Sequence, residues 1–257
     1  MILTLDIGNT NIKTALFEGM EMRQYWRIST NRARSSDEYG IILMDLLNHN
    51  DIPASAVDGI IMSSVVPQIN FTIEHMCRNY FGHEPMKIEP GVKTGINIKY
   101  ENPREVGSDR IANAVAAYEL YGGPCITIDF GTATTFGAIS ERGEFLGGAI
   151  CPGLKLAAEA LTERAAKLPR FELAKPETVI GRNTITNMQS GIVYGYIGQI
   201  NYLVERMKRE LGAPNAKVIA TGGLAVLVGE ESNAIDVMDG LLTLKGLCLI
   251  YAKNANA

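Results

Sequence analysis

The sequence predicts a duplicated α/β fold whose two halves hold a nucleotide phosphate chain between them, and two observations support this prediction. The first is an internal repeat, in which residues 3–16 (LTLDIGNTNIKTAL) resemble residues 126–139 (ITIDFGTATTFGAI) at a constant offset. This alignment matches Thr4 with Thr127, Asp6 with Asp129, Gly8 with Gly131 and Ala15 with Ala138. The second observation is that strand and helix patterns alternate after each copy, as they do in α/β proteins.

Each copy of the repeat predicts a buried strand that ends in an aspartate, then a turn containing a glycine, then a second strand. Glycine allows backbone N–H groups to approach an anion closely, and the aspartate can hold a cation bound to that anion. A single Asp-x-Gly turn is ordinary turn chemistry. Two copies that match at this many positions favour a pair of phosphate-binding hairpins over two chance turns.

The composition is that of an ordinary globular protein and argues against several classes of function. Apolar residues make up 46% of the 257 residues and charged residues 20%, which does not suit a disordered chain. The net charge of −4, without a basic run, argues against a nucleic-acid partner. The four cysteines and three histidines lack metal-ligand spacing, and we expect buried thiols. Met1 leads directly into a strand, so we expect no signal peptide and a cytoplasmic protein.

The first half continues with alternating strands and helices after its hairpin. Ser35 and Glu38 form a helix-start pattern ahead of spaced apolar residues. Residues 96–104 (INIKYENPR) predict a loop that carries Tyr100. The other predicted elements of this half are strands over 22–28, 59–66 and 86–88 and helices over 70–80 and 108–120.

Gly122-Gly123-Pro124 ends the first half and marks the predicted boundary between domains 1–121 and 122–257. The second half repeats the order of the first, with a hairpin followed by alternating elements. These are strands over 144–149 and 217–220, a turn over 151–153, and helices over 154–166, 183–204 and 241–251.

Gly107-Ser108-Asp109-Arg110 places a carboxylate next to a guanidinium at a predicted helix start. One interpretation is structural, since an aspartate that caps a helix contributes about 1 kcal/mol and the arginine can be solvated. The other is functional, because a general base beside an anion-binding arginine suits a kinase that acts on a small anionic alcohol. The spacing does not decide between them.

A third glycine turn, Thr221-Gly222-Gly223, follows a predicted strand in the second half. Neither a Walker A pattern nor G-x-G-x-x-G occurs in the sequence, so ordinary P-loop and Rossmann sites are excluded. The turn therefore either lets the backbone approach an adenosine or simply joins a strand to a helix. Both interpretations stay open at this stage.

Residues 183–204 contain no charged side chain, but their asparagines and glutamines argue against a membrane span. A buried helix fits better, and its glycines Gly191, Gly195 and Gly198 allow another backbone to approach closely. That backbone belongs either to this chain's own sheet or to the same helix of a second copy. Thr184, at the start of the run, is either the helix cap or a hydroxyl ligand.

Taken in order, these motifs resemble those of the type III pantothenate kinases. The matching segments are 6–10 (DIGNT), 107–110 (GSDR), 129–134 (DFGTAT) and 147–153 (GGAICPG), and the resemblance extends from Met1 to about Tyr251. The family belongs to the acetate and sugar kinase, Hsp70 and actin superfamily, so the resemblance implies a duplicated actin-like (ribonuclease H-like) fold. It also implies ATP-dependent phosphorylation of pantothenate to 4′-phosphopantothenate, the first step of coenzyme A biosynthesis.

The resemblance implies a role for each matching residue. Asp6 is implied to lie near the Mg²⁺ of ATP and Lys13 near its phosphates. Asp109 is implied to accept a proton, and Asp129 to bind a monovalent cation, potassium or ammonium. The other implied contacts are Ile7, Gly8, Asn9, Thr10, Asn11, Ile12 and Thr132 for ATP, and Tyr100, Gly107, Ser108, Asp109, Arg110 and Thr184 for pantothenate. Thr184 is implied to reach that site across the interface of a homodimer.

Two other functions remain compatible with these residues. One is another small-molecule kinase of the same superfamily. The other is a regulatory accessory protein on the same fold, like the relatives called Bvg accessory factors. Asp109, together with Asp6 and Asp129, favours an enzyme, because a protein that only binds needs no general base. Neither nucleic acid nor a membrane is expected as a partner.

Overall fold

The structure is a computed structural model that describes residues 1–223 and 231–255, and the chain divides into two compact units. The first consists of Met1–Gly95, Asn102–Ala116 and Leu242–Ala257, and the second of Ile96–Glu101 and Ala117–Leu241. Neither unit is one continuous stretch of chain. The domain boundary between residues 121 and 122 follows the sequence repeat rather than the packing, and it stays a prediction.

The first unit is built on a five-stranded sheet with the strand order β3-β2-β1-β4-β5. Its strands are β1 (Ile2–Ile7), β2 (Asn11–Glu18), β3 (Glu21–Ser29), β4 (Gly59–Ser64) and β5 (Met86–Lys87). Its helices are α1 (Ser36–His49), α2 (Asn70–Phe81), the start of α3 (Ser108–Tyr121) and α6 (Leu242–Ala255). Helices α1 and α2 pack on each other, whereas α6 packs on β1, β2 and β4. The end of β1 therefore lies inside the sheet, between β2 and β4.

The second unit contains a seven-stranded sheet with the order β12-β11-β7-β8-β9-β6, and β10 pairs with β8 outside this order. Its strands are β6 (Asn97–Ile98), β7 (Cys125–Phe130), β8 (Ala133–Ile139), β9 (Glu144–Gly147), β10 (Ile150–Pro152), β11 (Lys217–Thr221) and β12 (Val237–Met238). Among its described residues, the helices are the end of α3, α4 (Leu154–Arg164) and α5 (Thr184–Glu210). Apolar side chains of α5, among them Val193 and Ile200, pack with those of β7 in one core.

The two sheets confirm the duplicated, ribonuclease H-like α/β fold. The order β9-β8-β7-β11-β12 in the second unit repeats the order β3-β2-β1-β4-β5 in the first. In each sheet an antiparallel hairpin is followed later in the chain by a central strand that pairs parallel with the first strand of that hairpin. The two predicted phosphate hairpins therefore occupy equivalent central positions in the two units.

The alignment of the two hairpins needs one correction beyond their glycines. Asp6 pairs with Lys13 across the first hairpin, whereas Asp129 pairs with Thr135 across the second. The second turn is thus one residue shorter than the first. The constant offset, which matches Lys13 with Phe136 and Ala15 with Ala138, is therefore wrong in the second strand of each hairpin. Recurring Thr and Ala residues hide the deletion in the sequence. Thr135 occupies the place that Lys13 has in the first hairpin.

Two helices begin at capping boxes. Ser35 and Glu38 make the reciprocal side chain-to-backbone pair at α1, as the sequence predicts. At α5 the same pair joins Asn183 and Thr186, so Asn183 rather than Thr184 is the cap. In the described part of the chain, no helix is long and apolar enough to cross a bilayer.

Two segments predicted to lack strands contain short ones. Residues 151–153 predict a turn, but 150–152 form β10, in which the proline is tolerated because β10 has only one neighbouring strand. The predicted loop over 96–104 contains β6 and the beginning of a 3-10 helix over Pro103–Glu105. β10 leads directly into Gly153, behind the second hairpin.

Candidate active site

The turn of the first hairpin is fixed by its own backbone and by one threonine from outside it. The Gly8 N–H donates to the Asn11 carbonyl oxygen at 3.0 Å. Thr30, just after β3, donates its hydroxyl to the Gly8 carbonyl at 2.6 Å and its N–H to the Thr10 carbonyl at 3.0 Å. A Cβ on Gly8 would lie 3.1 Å from the Asn11 carbonyl oxygen, so glycine keeps the turn tight. The tip at Asn9 and Thr10 is exposed.

Asp6 and Lys13 face each other across this hairpin. They are cross-strand neighbours, and Lys13 Nζ lies 3.7 Å from Asp6 Oδ2. The side chains are 13% and 20% exposed, so both charges are largely shielded from water but accessible. A carboxylate that can bind Mg²⁺ therefore lies beside an ammonium that can bind phosphate.

The predicted helix start at Gly107-Ser108-Asp109-Arg110 is the start of α3, and the Asp109 carboxylate has a defined orientation there. Its Oδ1 accepts the Arg110 N–H at 2.8 Å. A Cβ on Gly107 would lie only 2.5 Å from the same oxygen, so a larger residue would displace the carboxylate. Arg110 is 8% exposed, so most of its side chain is buried. A carboxylate at a helix N-terminus is stabilised in its charged form.

Ser63, which the sequence analysis does not identify, connects the two groups. It lies on β4 directly opposite Asp6 in the parallel register. Its side chain is buried, and its Oγ lies 2.8 Å from Ser108 Oγ. Ser108 Oγ also accepts the N–H of Ser64 at 3.2 Å. The start of α3, with Asp109, is therefore tied to the strand next to Asp6.

The second hairpin repeats the construction of the first. The Gly131 N–H donates to the Ala133 carbonyl at 3.2 Å, and the Gly153 N–H donates to the Thr132 carbonyl at 3.0 Å. A Cβ on Gly153 would overlap the carbonyl oxygens of Gly131 and Thr132, so only glycine permits this approach. Asp129 is half-buried at the end of β7, and Thr132 is exposed at the tip. Gly153 therefore fixes this turn through a backbone hydrogen bond, while Thr132 at its tip is exposed to solvent.

Tyr100 belongs to the second unit, where it packs on β9. Its ring centroid lies 6.5 Å from that of Phe145. A Cβ on Gly147, whose φ is +124°, would lie 3.5 Å from the Tyr100 ring. A Cβ on Gly148 would overlap the Phe136 carbonyl, so this glycine lets the segment lie close to β8.

A cavity of about 820 Å³ lies in the second unit beside the third glycine turn. Residues of α4, the segment 170–173 and Gly223 line it. Gly222 has a φ of +101°, and a Cβ there would lie 2.6 Å from the backbone of Phe130, at the end of β7. The third glycine turn therefore lies against the end of β7, so the cavity is next to the second hairpin. The volume of the cavity suits a small molecule.

Thr184 is the exposed first residue of α5. It lines a smaller cavity of about 330 Å³ together with residues of α5 and of the segment 161–168. The structure therefore gives Thr184 a free surface position rather than a role inside the second unit's core.

The predicted site residues divide between the two units. The first unit contains Asp6 through Lys13 and Gly107 through Arg110, and the second contains Tyr100, Asp129, Thr132 and Thr184. Within residues 1–223 and 231–255, no group of three or more acidic, histidine or cysteine side chains forms a metal site. Mg²⁺ commonly takes most of its ligands from phosphate and water, so a single protein carboxylate is compatible with a Mg²⁺ site.

The cysteines are free thiols without the features of a nucleophile. Burial raises the pKa of Cys77 and Cys125 to about 12 and that of Cys248 to about 11, so these thiols stay protonated at neutral pH. Burial also raises the pKa of Cys151, although this residue is only half-buried rather than buried as expected.

A family model described as type III pantothenate kinase matches residues 2–206, which is most of the chain. The match includes both hairpins, the start of α3 and Thr184. The predicted family resemblance is thereby confirmed.

Several solved structures share the fold at low sequence identity. A putative Baf family transcriptional activator from Campylobacter jejuni is 20% identical with a TM-score of 0.64, over 99% of this chain and 100% of that one. A putative 2-dehydro-3-deoxygalactonokinase from Sinorhizobium meliloti is 12% identical with a TM-score of 0.62, over 98% and 96%. A ROK hexokinase from Thermus thermophilus is 13% identical with a TM-score of 0.55, over 100% and 99%. These similarities show the fold alone.

Proposed function

The chain belongs to the type III pantothenate kinase family, and we propose that it transfers a phosphoryl group from ATP to the terminal primary hydroxyl of pantothenate. The product, 4′-phosphopantothenate, is the first intermediate toward coenzyme A. Beyond family membership, one structural observation supports the proposal. Asp6 and Lys13 lie in the same compact unit as Asp109 and Arg110, and a pair of serines connects the two sets.

Each of the two turns has residues that fit part of ATP with Mg²⁺. Glycines at positions 8 and 131 leave the backbone accessible at each tip, where N–H groups can meet phosphate oxygens. Asp6 supplies a carboxylate for Mg²⁺, and Lys13 offsets phosphate charge. When bound, ATP supplies the phosphoryl group that is transferred. The cavity beside Gly223 is large enough for the nucleoside.

Asp109 is the proposed proton acceptor for the substrate hydroxyl. Phosphoryl transfer depends mainly on positioning and on stabilising charge, so a base with a fixed orientation is what the reaction needs from the protein. The Arg110 N–H and the space left by Gly107 fix that orientation. Arg110 is the proposed partner of the substrate carboxylate, because its planar guanidinium can bind both carboxylate oxygens.

Replacing Ser63 with alanine removes the hydroxyl that holds Ser108. We expect the free energy of unfolding to fall by about 1 kcal/mol. We also expect kcat to fall with little change in KM for ATP, since the start of α3 is loosened while the first hairpin is untouched. Thermal unfolding and steady-state kinetics measure the two effects.

Ser64→Ala is the matched control for that experiment. The Ser64 hydroxyl accepts the Val66 N–H at 3.1 Å, so this variant also loses one local hydrogen bond. The Ser64 N–H that donates to Ser108 is retained. If the two variants show the same kcat, the connection between Ser63 and Ser108 has no part in positioning Asp109.

Asp129 is the proposed ligand of a monovalent cation, potassium or ammonium. Its cross-strand partner position holds Thr135, where the first hairpin has Lys13. The second hairpin thus places an oxygen-bearing side chain next to its carboxylate instead of an ammonium, and oxygen ligands suit a hard cation such as potassium.

Asp129→Ala is expected to lose most of its activity together with the response to potassium and ammonium. Initial rates are measured over a range of KCl and NH₄Cl, with choline chloride keeping the ionic strength constant. Glu141→Ala, on the exposed turn after β8, is the control and should keep the wild-type response. A normal cation response in Asp129→Ala would place the cation elsewhere.

We also propose a homodimer with α5 at its interface. One side of α5 packs into the second unit, whereas Gly191, Gly195 and Gly198 are exposed, with no atom within 4 Å of an added Cβ. An exposed helix face without charges favours contact with a second copy over burial on this chain's own sheet. Thr184, at the start of that helix, would then complete the pantothenate site of the partner.

A coupled assay of ADP release with and without pantothenate tests the function, with mass spectrometry to identify the product. We expect ADP release only with pantothenate, and 4′-phosphopantothenate as the product. ADP release with a sugar but not with pantothenate would indicate another small-molecule kinase. Nucleotide binding without any turnover would favour a regulatory protein, the alternative that the description of the Campylobacter structure raises.

We expect the reaction to take place in the cytoplasm. ATP is available there, and the four free thiols suit a reducing compartment. Fractionation of cells that produce the protein, with activity measured in each fraction, tests this expectation.

A further inference from the structure

Tyr196 lies in the middle of α5 and reaches the back of the second hairpin. It is 7% exposed, and its hydroxyl forms hydrogen bonds with Thr134 Oγ1 and, at 3.3 Å, with the carbonyl of Pro152. Its ring centroid lies 6.4 Å from that of Phe130, at an interplanar angle of 48°. Burial raises the pKa of Tyr196, so the phenol keeps its proton and remains a donor at neutral pH.

Three of the residues that Tyr196 contacts lie around turn 131–133. Phe130 is the last residue of β7, Thr134 pairs with it on β8, and Pro152 is the last residue of β10. The next residue, Gly153, holds the turn through its N–H. One phenol therefore connects every strand from which the second glycine turn is supported.

Tyr196 lies on the face of the sheet opposite to Asp129, the proposed cation ligand. Side chains alternate along a strand, so Phe130 and Thr134 point toward α5 while Asp129 and Thr135 point to the other face of the sheet. Burial agrees, since Phe130 and Thr134 are 2% and 1% exposed whereas Asp129 and Thr135 are half-buried. The tyrosine affects a bound nucleotide only through the conformation of the turn.

We infer that Tyr196 is a positioning residue that fixes the second glycine turn, with Asp129 and Thr132, in the conformation that binds the nucleotide phosphates. This inference rests on the proposed function, which assigns the second hairpin to the phosphate chain. It goes beyond the family motifs, because Tyr196 lies outside all of them.

Tyr196→Phe and Tyr194→Phe form a matched pair that tests the inference. Both residues are on α5, and the Tyr194 hydroxyl donates to the carbonyl of Pro176 at 2.8 Å, away from the hairpin. MgADP is titrated into each protein by calorimetry in the presence of KCl. We expect Tyr196→Phe, which loses the hydrogen bonds to Thr134 and Pro152, to raise the Kd of MgADP about 10-fold, and Tyr194→Phe to leave it near wild type.

Substitutions at Thr134 separate positioning from general destabilisation. Thr134→Val should weaken MgADP binding, though by no more than Tyr196→Phe, which also loses the bond to the Pro152 carbonyl. The double variant should add little to Tyr196→Phe, because that variant already lacks the bond to Thr134. Thr134→Ser, which keeps the hydroxyl, should restore binding. Thr134→Val and Thr134→Ser, which both keep Tyr196, also decide the matter should Tyr196→Phe fail to fold.

The outcomes distinguish this inference from the proposed function. Equal Kd values for Tyr196→Phe and Tyr194→Phe, or for Thr134→Val and Thr134→Ser, would overturn the positioning role. A wild-type protein that binds MgADP but does not phosphorylate pantothenate would refute the proposed substrate while the Kd comparison still tests Tyr196. A wild-type protein that does not bind MgADP would refute both.

Discussion

Replacing Asp109 with asparagine is expected to lower kcat by about 10²-fold to 10⁴-fold while the protein stays folded and its KM for ATP is unchanged. Asparagine has nearly the same shape and keeps an oxygen that can accept the Arg110 N–H, so the start of α3 is preserved. What the variant loses is the ability to take a proton from the substrate hydroxyl. The coupled ADP assay measures kcat and KM, and thermal unfolding measures stability.

The chain offers a close control for this substitution in Asp37→Asn. Asp37 is the second residue of α1 and Asp109 the second residue of α3, and each follows a serine. Both substitutions therefore remove the same favourable interaction between a negative charge and a helix N-terminus. We expect both variants to lose similar stability, but only Asp109→Asn to lose turnover. Turnover near wild type in Asp109→Asn would remove this carboxylate from the mechanism.

The features that the sequence predicts correctly are those with a local pattern. Buried strands, glycine turns and capping residues leave a signal within a few residues, and the hairpins, β4, α1 and α3 are found where expected. The errors also have local causes. Asn183 and Thr184 are adjacent and both suit a cap, so the choice between them depends on which backbone N–H the side chain meets.

The contacts that hold the site together have no such signal. Ser63 and Ser108 are separated by 45 positions, and two serines at the end of an apolar strand look like the end of that strand. Thr30 supports the first turn from beyond β3. Tyr196 has the pattern of a core aromatic on a helix, and only the packing of α5 shows that its hydroxyl reaches the second hairpin. Such contacts depend on tertiary structure, which the periodicity of a sequence does not specify.

The face of α5 that points away from its own unit leads to the second large expected effect. Gly191, Gly195, Gly198 and Tyr202 are spaced so that they form one stripe along the helix. Tyr202 is 62% exposed, the three glycines are exposed, and residues 183–204 carry no charge. An ordinary solvent-exposed helix face carries charged residues, so this stripe is typical of a surface that a second copy covers.

Gly195→Arg is expected to convert the proposed homodimer into a monomer and to abolish activity. The arginine finds open space in its own chain, because no atom lies within 4 Å of a Cβ at this position, so the isolated fold should persist. Across a twofold contact, however, the substitution places two bulky cations at close approach in an apolar interface. Light scattering measures the mass, circular dichroism the fold, and the ADP assay the activity.

Asn79→Arg, on an exposed position of α2, adds the same side chain and charge in the other unit and should leave both mass and activity at wild-type values.

Loss of activity in Gly195→Arg has a specific cause if Thr184 completes the partner's site. A monomer then lacks one of its substrate contacts even though its own hairpins are intact. Mixing Gly195→Arg with wild type should not rescue it. An active wild-type monomer of 27.9 kDa at assay concentration would contradict both the dimer and the role of Thr184 in it.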